Sequence, residues 1–180
     1  MNTALSVEEF VERARLFATA AHAAAGQKRK YTFEDYIVHP IQVAEIVKNI
    51  GGTPAMICAA YLHDVLEDTK VPEYVLRTEF GNLVTDMVVW LTKVEVPGNR
   101  KVRKEAELRR LYGAPEEVQT IKLADLLANT PSIVKHDPKF AKVYLREKQE
   151  LLEVLTNGDK TLLKRAQDQL KSAMEYNAKV

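Results

Sequence analysis

The stretch Ala55-Met56-Ile57-Cys58-Ala59-Ala60-Tyr61-Leu62-His63-Asp64-Val65-Leu66-Glu67-Asp68 decides the fold. From Ala55 to Leu62 it has no charge and no polar face, so as a helix it must be wrapped in protein on every side. Four ionisable side chains follow at once. At roughly 100° per residue, His63, Glu67, Asp64 and Asp68 project at about 0°, 40°, 100° and 140°, one side of a continuing helix. A carboxylate buried there costs several kcal/mol unless it is paired or metal-bound. No Lys or Arg stands between Gly51 and Thr69 to pair with it. A divalent cation answers that need directly. The plainer alternative is that the carboxylates are solvated and that Asp68-Thr69 belongs to a turn ending the helix.

Working outward, every patterned segment reads as helix. Ser6 with Glu9 makes a capping box, and Phe10, Ala14, Phe17 and Ala21 recur at helical spacing to about Ala25, where Gly26 stops the run. Gln27 to Tyr36 is a basic-then-acidic loop. His39-Pro40 opens a second helix with Pro40 at its first position, and Gly51-Gly52 closes it. Thr53-Pro54 starts the buried helix in the same way. Pro72 begins a short helix ending near Phe80-Gly81, and Leu83 to Leu91 forms another. Val96 to Arg103 is a loop around Pro97-Gly98-Asn99, followed by a charged helix from about Lys101 to Leu111. Glu116 to Asn129, Pro138 to Leu155 and Lys160 to Tyr176 complete the set, the last two separated by Asn157-Gly158. Trp90 and the residues Tyr144, Leu145, Leu151, Leu152 and Leu155 read as helix packing.

The chain's 180 residues are enough for one domain with a real core. Lys+Arg 26 against Asp+Glu 25 leaves a net charge of +1, so no global field recruits nucleic acid or a membrane. The lone Cys58 excludes a disulfide within the chain and reads as a small core residue. The N-terminus lacks the pattern of a secretory signal, and no apolar stretch approaches the roughly 20 residues of a membrane span. A soluble, cytoplasmic protein is the expectation. The oligomeric state stays open, a homodimer included.

Three apolar stretches carry isolated polar residues: His39 at the mouth of the second helix, His63-Asp64 at the end of the third, and Asp125 within Ile121 to Ala128. Two imidazoles and two carboxylates suit Mn or Zn with positions left for water. Each alone has another explanation: His39 as a helix cap, Asp125 as a partner for Lys122 at i−3. The order H…HD…D as a whole is far more specific. His22 and His136 lack apolar surroundings and ligand company, and are left out of the site.

This pattern resembles the HD superfamily of metal-dependent phosphohydrolases. The surrounding segments Gly26-Gln27-Lys28-Arg29-Lys30, Tyr36-Ile37-Val38-His39-Pro40, His63 to Thr69, Phe80-Gly81 and Lys122-Leu123-Ala124-Asp125 with Asn129 are similar to the hydrolase domain of RelA/SpoT proteins. The likeness runs from about Ala18 to Asn129. It implies a single-domain, all-α HD-type helical bundle, with a motif-bearing core of about 18–130 and C-terminal packing helices of about 138–178. The chain is too short for the synthetase and regulatory domains of the long enzymes, so a small stand-alone alarmone hydrolase similar to the metazoan SpoT homologues is expected.

The resemblance also implies roles. His39, His63, Asp64 and Asp125 would bind one Mn²⁺, or Zn²⁺. Glu67 and Asp68 occupy the H-D-x-x-E-D carboxylates that act on the attacking water. Arg29 would contact the nucleotide base, Lys28 and Lys30 the phosphates, and Asn129 the ribose. The implied reaction removes the 3′-pyrophosphate of (p)ppGpp, giving GDP or GTP and pyrophosphate.

The chain also departs from the family. Where the family commonly has His two residues before Gly-Gln, this chain has Ala24, with His22 two residues earlier. The usual Gly-Glu-Pro-Tyr is Phe33-Glu34-Asp35-Tyr36, and Asn-Met-Arg is Asn129-Thr130-Pro131. These changes remove substrate-facing positive charge. An adenosine alarmone such as (pp)pApp, the 2′-phosphate of NADPH or a nucleoside monophosphate are therefore alternative substrates for the same chemistry. A non-catalytic nucleotide sensor is the second alternative, and the Glu67-Asp68 pair argues against it. The basic residues Arg100, Lys101, Arg103 and Lys104 either reach pyrophosphate from a loop or are simply solvated.

Overall fold

Residues 5–179 are described by a computed structural model; the first four residues of the N-terminal reading lie outside them. Among the described residues every named element is a helix, apart from one isolated antiparallel bridge between Lys28 and Asp35. The all-α class is therefore as expected. By compactness the chain divides into two units, Met1–Thr92 and Lys93–Val180.

In the N-terminal unit α1 (Val7–Ala24) begins at the expected capping box. Ser6 Oγ accepts from the Glu9 amide at 3.1 Å, and the Glu9 carboxylate accepts from the Ser6 amide at 2.8 Å. Gly26, at φ +66°, turns the chain away in the left-handed region where a side chain would be strained. The second helix, α2 (Val38–Asn49), starts two residues before the proline expected to open it. The amides of Val38 and His39 bond the carbonyls of Asp35 and Tyr36 at 3.1 and 3.0 Å, so the turn is already wound when Pro40 arrives. Pro40 still lies in the first turn, where its missing N–H leaves no helical bond unmade.

The third helix, α3 (Pro54–Leu62), is capped by Thr53 and packed by α1, α2 and α5, as its uniformly apolar surface requires. Cys58 is fully buried there and its thiol is pushed up to about 11 by burial, as befits an inert core residue. The helix does not run on through Asp68. It ends at Leu62, and the chain turns at His63-Asp64 before the short α4 (Val65–Asp68). The His63 ring Nδ1 donates to the Ala60 carbonyl at 2.8 Å, and Asp64 sits at φ −98°, ψ −4°. The single polar face projected for a continuous helix is replaced by a corner that holds His63 and Asp64.

The last helix of this unit, α5 (Glu73–Leu91), breaks at Gly81 (φ 75°, ψ 173°), where two separate helices were expected to meet. Phe80, just before the break, packs its ring against Phe17 at 5.3 Å and Phe10 at 5.9 Å.

The C-terminal unit contains α6 (Arg100–Tyr112), α7 (Glu116–His136), α8 (Pro138–Val154) and α9 (Lys160–Asn177). Here α7 packs on α8 and α9. It was expected to stop at Asn129 and instead continues through Pro131. A proline at 131 cannot donate to the Leu127 carbonyl. That carbonyl accepts from Gln169 Nε2 of α9 at 3.1 Å, so the lost bond is replaced from another helix. Buried Gln119 ties the α8–α9 connection to α7: its Oε1 accepts from the amides of Asn157 and Gly158 at 2.9 and 3.2 Å. The packing residues Leu145, Leu151, Leu152 and Leu155 are buried as expected, and Trp90, in the N-terminal unit, is half-buried.

Candidate metal centre and its carboxylates

Three helical termini of the N-terminal unit build one polar cluster. The first turn of α2 supplies His39, the end of α3 supplies His63, and the corner before α4 supplies Asp64. Both imidazoles are buried, at 1% and 4% exposure, with ring centres 5.1 Å apart. Asp64 Oδ2 lies 3.1 Å from His63 Nε2 and 3.7 Å from His39 Nε2. The His63 bond to Ala60 requires a proton on Nδ1, and it turns Nε2 toward that carboxylate. A ring held by its second nitrogen in this way is the usual support of a metal-ligating histidine. Two imidazole nitrogens and a carboxylate converging at the end of an apolar helix form a site fitted to a divalent transition metal.

Glu67 and Asp68 follow on α4 and are both exposed. Asp68 Oδ2 accepts from Gln27 Nε2 at 2.8 Å. Gln27 belongs to the loop that carries Lys28, Arg29 and Lys30. This loop is a small hairpin: the Arg29 amide bonds the Glu34 carbonyl at 2.9 Å, and the Phe33 amide bonds the Arg29 carbonyl at 3.1 Å. Phe33 is held at φ 59°, the left-handed region, with its ring 77% exposed. The Lys28 ammonium is paired with Asp35 across the bridge. Lys30 lies over the Tyr31 ring at 4.8 Å, and Arg29 lies over the Tyr36 ring at 5.9 Å.

Two neighbours of the cluster escaped the sequence reading. The Tyr36 hydroxyl donates to Asp64 Oδ2 at 2.5 Å. Tyr36 was quoted only as part of a motif, because nothing in the spacing says where a hydroxyl at the end of an aromatic ring will reach. His22 was set aside for lack of apolar surroundings; in fact it is 1% exposed, with its ring 4.7 Å from that of Tyr36. Ala24, the position where the family commonly carries histidine, is exposed instead. Residues 22 and 24 stand about 200° apart on a helix, so only one of them can face inward. His136 is exposed, as expected.

In the C-terminal unit Asp125 is buried on α7, at 7% exposure. Its carboxylate accepts from Lys122 Nζ at 2.8 Å, the pairing weighed from the sequence, and from Asn129 Nδ2 at 2.6 Å. The basic residues Arg100, Arg103 and Lys104 lie on α6 rather than on a loop, and with Lys93 and Arg110 they line a cavity of about 480 Å³. Glu147 of α8 pairs with Arg100 at 2.6 Å and with Lys104 at 3.7 Å. Among the described residues no helix is long and apolar enough to cross a membrane.

Comparison with known proteins shows the family. A family model described as an HD domain matches residues 14–158. Among curated proteins, a guanosine-3′,5′-bis(diphosphate) 3′-pyrophosphohydrolase of Aquifex aeolicus is 32% identical over 154 residues, 83% of this chain and 21% of the relative. A GTP pyrophosphokinase of Streptomyces coelicolor is 35% identical over 143 residues, 78% of this chain and 16% of the relative. The chain thus spans about a fifth of the length of the curated relatives it matches. Among solved structures, that of a metazoan ortholog of SpoT that hydrolyzes ppGpp aligns with a TM-score of 0.82 at 22% identity. It covers 94% of this chain and 97% of its own, a likeness of fold.

Proposed function

The chain belongs to the HD-domain family, and from that premise we propose that it is a metal-dependent pyrophosphohydrolase of guanosine (p)ppGpp alarmones. It removes the 3′-pyrophosphate and releases GDP or GTP and pyrophosphate. The observation that carries this reading is the convergence of His39 and His63 on Asp64 beside the Glu67-Asp68 pair. The names of the relatives supply the substrate class.

On this reading His39, His63, Asp64 and Asp125 hold one Mn²⁺, with Zn²⁺ as the alternative, and the two compact units work as one hydrolase domain. Bound there, a divalent metal would make water at the site more acidic and would screen pyrophosphate charge. Glu67 and Asp68 receive and hand on protons: the water oxygen bonds phosphorus, the bond to the ribose 3′-oxygen breaks, and that oxygen ends protonated. Arg29, already stacked on Tyr36, presents its guanidinium plane to the base. Lys28 and Lys30 meet the phosphates and Asn129 the ribose. The setting is cytoplasmic, and the partner is a small nucleotide rather than nucleic acid or membrane.

One observation favours a second reading of the substrate. Lys28 is neutralised by Asp35, in a segment where the family has no acidic residue at that position, so guanosine alarmones meet less positive charge here. Less positive charge suits a substrate with fewer phosphates at the site, the 2′-phosphate of NADPH or a nucleoside monophosphate, while (pp)pApp is the alternative that differs from the guanosine alarmones in its base alone. Turnover of a panel of these nucleotides with Mn²⁺ tests both readings. Release of pyrophosphate from ppGpp supports the first, and preference for an adenosine substrate the second. Tight binding without turnover of any nucleotide would make the protein a sensor and overturn both. Arg29→Ala refines the outcome. If Arg29 faces the base, KM rises and the guanosine–adenosine preference blurs.

A further inference from the structure

His22 is a buried histidine that the proposed reaction does not use. It lies in the last turn of α1, its Nδ1 is 2.7 Å from Gln27 Oε1, and Gln27 Nε2 in turn donates to Asp68 Oδ2 at 2.8 Å. The chemistry of this chain fixes each proton. An ionised carboxylate only accepts, so the Gln27 amide must turn its NH₂ toward Asp68 and its oxygen toward His22. An amide oxygen also only accepts, so His22 must carry its proton on Nδ1. Burial pushes the His22 pKa down, with the Gln27 bond opposing, which favours the neutral ring with its single N–H. Its Nε2 is buried without a hydrogen-bond partner among the described residues, as suits the bare nitrogen of that tautomer.

We infer that His22 is a positioning residue for Asp68, acting through Gln27. Without a donor at His22, the Gln27 oxygen loses its partner and only the bond to Asp68 itself holds the amide in this orientation. Flipped, the amide would set its oxygen against Asp68, acceptor against acceptor, and Asp68 would swing away. The backbone assists at the same place: the Gln27 amide donates to the His22 carbonyl at 3.1 Å, which locks the spacing of the two side chains at the end of α1. The inference rests on the reading of Asp68 as a carboxylate of the reaction.

The test uses the full chain with Mn²⁺ and ppGpp. His22→Phe keeps the ring and removes the donor; kcat should fall about tenfold while KM and metal content stay within about twofold. His22→Asn, whose amide nitrogen lies where Nδ1 lies, should recover most of kcat. In a double-mutant cycle, adding His22→Phe to Gln27→Ala should cost nothing further, because the two residues act in series. Unchanged kcat in His22→Phe, or a full multiplicative loss in the double variant, overturns the inference. A fall in kcat accompanied by metal loss does so too, since His22 would then act on the metal site. A second measurement needs no turnover: nitrogen chemical shifts of His22 should report the Nδ1–H tautomer, lost or mixed in Gln27→Ala. An Nε2–H tautomer in the parent overturns the inference even if ppGpp is hydrolysed. A parent that shows the Nδ1–H tautomer but hydrolyses nothing defeats the reading of the reaction while leaving the His22–Gln27–Asp68 chain standing. Should His22→Phe fail to fold, His22→Asn, Gln27→Ala and the tautomer decide.

Discussion

Tyr36 donates its hydroxyl to the same Asp64 oxygen that His63 and His39 approach, 2.5 Å from the phenol and 3.1 Å from the nearer imidazole. On the proposed reading Asp64 is a metal ligand; a hydrogen bond to such a carboxylate fixes its rotamer, and loss of that support typically weakens metal binding by about 10–100-fold. Tyr36→Phe should therefore bind Mn²⁺ about tenfold or more weakly in a titration of the metal-free protein. Its thermal midpoint without metal should move little, because the ring still packs against His22 and Arg29. Parental affinity in this variant would mean that Asp64 keeps its orientation unaided.

Glu67 separates chemistry from binding. It lies exposed on α4, three residues after Asp64 of the candidate metal centre and outside the His–Asp cluster. Glu67→Gln keeps the shape and loses the base, so kcat should fall by about 10²–10⁴ with metal content preserved. Asp64→Ala is the contrast: it should empty the site by elemental analysis and also remove the stabilisation that metal lends the fold. A kcat within a few-fold of the parent in Glu67→Gln would reduce Glu67 to a surface residue.

Most helix boundaries could be read from the sequence because their signals are local. Ser6 with Glu9, Thr53 before Pro54 and Gly81 act on neighbours within a turn, and each marks the expected boundary. What could not be read depends on side-chain bonds that helical periodicity does not describe. The run of α7 through Pro131 is made possible by Gln169, which bonds the Leu127 carbonyl from 42 residues away. The corner at His63-Asp64 was hidden because a histidine side chain took a carbonyl that sequence periodicity assigns to the helix. His22 was missed for a similar reason. Its partner Gln27 lies past the helix end, where 3.6-residue periodicity no longer says which side chains meet. The residue types of the candidate site were plain from the sequence, whereas the bonds that orient them were not.

Phe33 is held at φ 59° where the resembling family has glycine. For a residue with a side chain that region costs about 1–2 kcal/mol, and a ring left 77% exposed recovers little by burial. Glycine carries a larger unfolded-state entropy, which offsets part of the relief. Phe33→Gly should thus raise unfolding stability by about 0.5–1 kcal/mol, seen as a higher denaturant midpoint with an unchanged slope. Phe33→Asn should give a smaller gain, since asparagine tolerates the same region. A lower midpoint in both variants would show that the ring contributes packing which outweighs its backbone strain.

Lys148 gives the C-terminal unit a pH dependence whose sign can be worked out. Its ammonium is fully buried and donates to Thr130 Oγ1 at 2.8 Å and Gln169 Oε1 at 2.6 Å. Burial drives its pKa from the ordinary 10.5 down to about 8, with Asp125 acting the other way. Below about pH 8 the folded and unfolded chains both hold the proton, and the whole cost of burying the charge is felt. Between the two pKa values the folded chain releases a proton that the unfolded chain keeps, so this group's contribution to stability rises with pH. The slope is at most about 1.4 kcal/mol per pH unit. Lys148→Met removes the titration. Thr130 retains its bond to the Leu126 carbonyl and its contact with the Tyr144 hydroxyl, while Gln169 Oε1 loses its donor. Relative to the parent, the Met variant should therefore be at its most favourable near pH 7 and lose ground steadily between about pH 8 and pH 10. Urea unfolding of both proteins across that range reads the difference directly. Parallel curves would mean that Lys148 keeps its proton throughout, and that its hydrogen bonds to Thr130 and Gln169 hold the charge against burial.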